Sequence, residues 1–98
     1  MDDDLFNSTE DTIQYVHLRI QQRNVRQKIT TIEGIADKYD LKRILKVCKK
    51  EFACNGNIVN DPTYGEIIQL QGDQRNNMFK FLSITGLVPE THIKMHGS

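Results

Sequence analysis

With 98 residues, 38% of them apolar and 27% charged, the chain is too short for two cores of ordinary size and reads as one soluble unit. No apolar run approaches the roughly 20 residues of a membrane span, and Met1-Asp2-Asp3-Asp4 is acidic where a secretory signal is basic and then apolar, so a cytoplasmic monomer is expected. The zero net charge conceals an asymmetry: residues 1–11 carry five acids and no base, residues 12–50 ten bases against three acids, and residues 51–98 three bases against five acids. One basic stretch in a neutral chain points to a one-sided electrostatic surface.

Residues 1–14 are acidic at the start, hold Leu5 and Phe6 as anchors, lack periodicity and are expected to be a disordered tail; residues 15–98 form the folded domain. From Tyr15, Val16, Leu18 and Ile20 alternate with His17, Arg19 and Gln21, the period of a half-buried strand. Residues 22–27 form a hairpin loop, and Lys28-Ile29-Thr30-Thr31-Ile32 is a β-branched second strand. Its broken alternation predicts a bulge or burial on both faces.

A helix follows, because Leu41, Ile44, Leu45, Cys48 and Phe52 make a single apolar stripe. Asp37 or Asp40 is the expected N-cap and Asn55-Gly56 the left-handed stop. At 3.6 residues per turn, Lys42, Lys46 and Lys49 fall within about 60° of one another, with Arg43 and Lys50 beside them, opposite the stripe.

Residues 57–60 and 67–71 read as short strands joined by the Pro- and Gly-marked turn Asp61-Pro62-Thr63-Tyr64-Gly65. Asp73 is placed to cap a second helix reaching Thr85, with Met78, Phe81, Leu82 and Thr85 facing inward and Gly86 and Pro89 as stop signals. A last strand runs through Ile93 and Met95. The order ββαββαβ implies an α/β two-layer sandwich, with two helices on one face of a mixed five-stranded sheet.

The basic helix face and the bases of the first hairpin are the candidate binding surface, because RNA phosphates are held by several cations on a rigid support. Arginine adds bidentate phosphate contacts. There is no aromatic stacking pair and no Gly-X-X-Gly clamp, so structured RNA held by its backbone fits better than sequence reading. The same lysines on a merely solvated helix are the plainer alternative. Catalysis finds no support: His17 has no nearby nucleophile, Ser8 and Ser83 lack a triad context, and Cys48 sits on the buried stripe. His92 and His96, placed on one strand face, have no third ligand for a metal. Cys48 and Cys54 match no zinc or redox spacing and are expected as buried free thiols, and no cofactor is implied.

The runs His17-Leu18-Arg19-Ile20-Gln21-Gln22-Arg23-Asn24, Phe52-Ala53-Cys54-Asn55-Gly56-Asn57, Gln69-Leu70-Gln71-Gly72-Asp73-Gln74-Arg75 and Ile93-Lys94-Met95-His96-Gly97 resemble the eukaryotic translation initiation factor one family. The likeness spans about residues 15–97. It implies a factor that binds the small ribosomal subunit near the peptidyl site, favours scanning, and opposes premature initiator tRNA seating until a start codon pairs. By position, Arg23, Asn24, Arg26, Lys28, Lys42, Arg43, Lys46, Lys49 and Lys50 would meet ribosomal RNA, and Asp61, Pro62, Thr63, Tyr64 and Gly65 would lie toward the tRNA. Asp73, Gln74 and Arg75 would serve as helix cap or in fidelity, and initiation factors one-A, two, three and five would be partners. Relatives carry Asn-Gly where this chain has Asn24-Val25, and an adjacent basic pair where Arg26 and Lys28 flank Gln27. Because Val tolerates positive φ poorly, the loop is expected to follow another path. The tail lacks the Phe-Asp-Pro-Phe-like stretch of many relatives, and Ser98 stands where a Phe is usual.

Overall fold

A computed structural model describes residues 13–97, so the acidic tail expected over 1–14 lies almost wholly outside the described residues. The strands are β1 (Val16–Gln22), β2 (Lys28–Glu33), β3 (Gly56–Asp61), β4 (Gly65–Gln71) and β5 (Ile93–Met95). The helices are α1 (Leu41–Glu51) and α2 (Arg75–Ile84), with a 3-10 turn Glu90–His92 before β5. The five strands form one sheet in the order β3-β4-β2-β1-β5, antiparallel except for β1 beside β5. The ββαββαβ sandwich read from the sequence is therefore the fold.

Alternation in β1 puts Val16 and Leu18 into the core and His17 and Arg19 on the opposite face. Helix α1 contributes Ile44 and Cys48, and α2 contributes Met78 and Leu82, to one cluster with Leu18, Ile32, Ile68 and Leu70. Strand β2 is central, and its residues Thr30 to Glu33 are all buried, so its broken alternation reflects burial on both faces. Its register with β1 runs unbroken from Lys28 to Glu33, without a bulge.

Three local expectations are corrected. Helix α1 begins at its N-cap Asp40, whose Oδ1 accepts from the Lys42 and Arg43 amides at 3.1 and 3.3 Å, but its left-handed exit is Ala53, at φ 50°. Gly56 instead opens β3, where its lack of a side chain lets Gln69 and Leu70 approach. Thr85 is exposed, because its hydroxyl donates back to the Phe81 carbonyl at 2.7 Å and does not reach the core. Cys48 is buried while Cys54, beyond the helix end, is only half-buried; both are free thiols.

Candidate functional site

The loop between β1 and β2 follows a path that needs no positive φ. Asn24 Oδ1 accepts from the Arg26 and Gln27 amides, both at 2.9 Å, and Gln22 Nε2 donates to the Asn24 carbonyl at 2.9 Å. The Asn24 side chain thus organises the turn, which is how Val25 is accommodated where glycine is expected. Ala53 is the one non-glycine residue at positive φ among the described residues, and Val25, 90% exposed, stands at the tip between the two arginines.

The start of β2, at the base of the first hairpin, meets the end of β4. Gly72 N donates to the Lys28 carbonyl at 2.8 Å, and Gln71 N to the Asn55 carbonyl at 2.9 Å. Gln71 and Gly72 consequently line two neighbouring grooves, one with Arg26 and Lys28 and the other with Lys49 and Gln74. The structure therefore gathers the hairpin bases and the C-terminal end of α1 around one short turn. Lys42 lies at the other end of the helix, about 10 Å along its axis from Lys49, in a groove with Tyr64 and Glu66. Lys42, Arg43, Lys46 and Lys50 are exposed and Lys49 is half-buried. Among the described residues, no carboxylate comes within 4.0 Å of any of these bases or of Arg23.

Asp73, the expected cap of α2, is not its N-cap. The helix starts after Gln74, and the Asp73 carboxylate grips the Arg75 guanidinium with two contacts of 2.8 Å. The guanidinium is the nearer and stronger donor, whereas the Arg75 amide lies 3.4 Å away. That fork holds Asp73 below the usual carboxylate range, with Arg75 the main cause. Arg75 also donates to the His96 carbonyl at 2.7 Å, tying the turn to the end of β5.

At the opposite end of the sheet, Asp61 Oδ2 accepts from the Thr63 and Tyr64 amides, both at 2.9 Å, and Gly65 takes φ 76° to return the chain into β4. The Asp61 carboxylate is thus the organiser of its own loop as well as its charge. Tyr64 is not free bulk: its ring tilts against His17 at 5.7 Å, beside the Arg19–Glu33 ion pair of 2.9 Å.

The placement of His92 and His96 on one strand face is corrected, because His92 belongs to the 3-10 turn and edges onto Tyr15. His96 instead meets His17, ring nitrogens 3.0 Å apart. Nothing in local periodicity could have joined residues 17 and 96; parallel pairing of β1 with β5 does it. Burial pushes the Cys48 thiol up to about 12, and burial also raises Cys54, so neither is a thiolate nucleophile at neutral pH. Among the described residues, no group of three or more His, Cys, Asp or Glu side chains is arranged to hold a metal. No helix among them is long and apolar enough to cross a membrane.

A family model described as Translation initiation factor SUI1 matches residues 12–88. The chain is 54% identical over 96 residues to eukaryotic translation initiation factor 1 of Homo sapiens, covering 98% of this chain and 82% of that protein. It is 58% identical over 86 residues to eukaryotic translation initiation factor eIF-1 of Saccharomyces cerevisiae, covering 88% of this chain and 80% of that protein. The crystal structure of the C-terminal domain of human eIF2D superposes with a TM-score of 0.75 over 83% of this chain and 42% of that one. At 19% identity it speaks for the fold alone.

Proposed function

This chain belongs to the translation initiation factor SUI1 family, whose members are initiation factors and not enzymes, and from that premise we propose that it binds the small ribosomal subunit near the peptidyl site and enforces start-codon fidelity. The observation that carries this reading is the polarity of the sheet. At one end Arg26, Lys28 and Lys49 surround Gly72 with no carboxylate within 4.0 Å of them among the described residues, the nearby Asp73 being paired with Arg75; at the other lies the Asp61–Gly65 loop, which has no base. The first end suits the phosphates of ribosomal RNA, since each neutralised phosphate releases counterions. The loop at the second end has no base of its own with which to hold phosphate, the nearest groove base being Lys42 of α1.

In this reading the two ends do different work. The hairpin and α1 hold the factor on the platform of the subunit. Asp61 and Glu66 then face the anionic initiator tRNA, and screening over about 8 Å at physiological salt restricts their repulsion to a closely seated tRNA. Premature seating is penalised more than loose binding, which promotes scanning until a start codon pairs. The factor works in the cytoplasm as a monomer, beside initiation factors one-A, two, three and five, and needs no cofactor.

Asp61→Asn tests the loop cleanly, because the amide oxygen still accepts from Thr63 and Tyr64 while the charge is gone. Binding to bare subunits stays unchanged and initiation at near-cognate codons such as UUG rises. Loss of subunit affinity with unchanged near-cognate initiation would make the loop an ordinary contact and end this mechanism.

A further inference from the structure

Thr30 is fully buried in the central strand β2, paired with Ile20 on one side and Leu70 on the other. A threonine with no exposed surface in a sheet core has a hydroxyl to satisfy, and here it is satisfied twice. Its Oγ1 donates to the Gly72 carbonyl at 2.7 Å and accepts from the Gln74 amide at 2.8 Å. Gln74 is the N-cap residue of α2, a helix with no side-chain cap of its own, so the partner of that amide comes from another element of the fold. Two residues back along the same strand, the Lys28 carbonyl accepts from Gly72 N at 2.8 Å. Strand β2 therefore grips the Gly72–Arg75 turn at three points. The same strand leads directly into the basic hairpin.

We propose that Thr30 is a positioning residue that locks the Gly72–Arg75 turn onto the basic hairpin, so that Arg26, Lys28, Lys49 and the turn meet RNA phosphates as one preformed surface. This rests on the RNA-binding reading of that end of the sheet. Only a hydroxyl can donate to Gly72 and accept from Gln74 at once; valine has the same shape and does neither. Without it, a half-buried amide and a half-buried carbonyl lose their partners, and the turn moves to reach water. Surfaces held rigid before binding lose less freedom on binding, so the loosened turn weakens association.

The experiment compares Thr30→Val with Thr30→Ser, measuring small-subunit binding well below the melting temperature and the Gln74 amide by NMR. Thr30→Val should shift that amide and weaken binding about tenfold, the factor given by about 1.4 kcal/mol. Thr30→Ser should restore both. A merely structural threonine would lower the melting temperature while the folded protein bound normally, and that result overturns the proposal. If Thr30→Val does not fold, Thr30→Ala against Thr30→Ser isolates the hydroxyl, and equal binding by the two overturns it equally. Arg26→Glu with Lys28→Glu separates the two levels. If this reversal weakens binding and Thr30→Val does not, the positioning role alone falls; if neither does, the RNA-binding reading falls with it.

Discussion

Replacing Gly56 with alanine should damage this fold more than its place near the end of a helix suggests. A Cβ at position 56 would stand 2.5 Å from the Gln69 carbonyl oxygen, 2.7 Å from Leu70 Cδ2 and 3.2 Å from Leu45 Cδ1. The first contact is backbone, held in the β3–β4 ladder by pairing of Asn57 with Gln69, so it cannot rotate away. Relief requires β3 to lift from β4, beneath α1. Overpacking of a tight core typically costs about 1–3 kcal/mol, and a backbone obstacle places this case at about 3 kcal/mol. In a domain of this size each kcal/mol shifts the melting temperature by about 4–8 °C, so a loss of about 12 °C or more is expected by calorimetry or chemical denaturation. Gly65→Ala is the internal control: nothing lies within 4 Å of its Cβ, but its φ of 76° costs an L-residue about 1–2 kcal/mol. A Gly56→Ala variant within about 0.5 kcal/mol of the parent would refute the close approach. So would a Gly56→Asn variant more stable than Gly56→Ala, since asparagine rescues a left-handed stop and not a steric conflict.

Other outcomes follow from the charges. If the hairpin and α1 neutralise about five phosphates, log affinity for the small subunit falls against log salt with a slope of about −3.5 to −4.5, and a slope near zero in filter binding would refute the basic surface. Lys46→Glu with Lys50→Glu, both exposed, should weaken binding while leaving denaturation within about 0.5 kcal/mol; a large stability loss would mean that these lysines pack structurally. Burial holds His17 below its ordinary value, with Arg19, His96 and Lys94 acting in the same direction and Glu33 against it. A lowered folded-state value means the fold favours the neutral ring. This contribution is complete above the ordinary value of about 6.5 and is lost as pH falls through it toward the folded-state value. The melting temperature should therefore drop as pH falls below about 6.5, and less so for His17→Gln; parallel curves would show that burial of the His17 ring does not favour its neutral form.

Wherever signals repeat along the chain, the sequence was sufficient. Alternation from Val16 to Ile20, the stripe from Leu41 to Phe52 and the turn residues Pro62 and Gly65 determine β1, α1 and the second hairpin, because each depends on neighbours within a turn or two. The bases opposite the stripe were legible for the same reason. The neighbours of a residue across the sheet were not. The pairing of β1 with β5 brings His17 to His96, and the hydroxyl of Thr30 crosses to a turn more than 40 residues on. Asp73 chose the guanidinium of Arg75 over the helix amide, and Gly56 served close approach and not chain reversal, because in each case a competing partner stood nearer in space. Local patterns determine which elements form and which face is basic. Hydrogen-bond partners and steric limits depend on atoms that sequence leaves far apart, and only the folded sheet brings them within 3 Å.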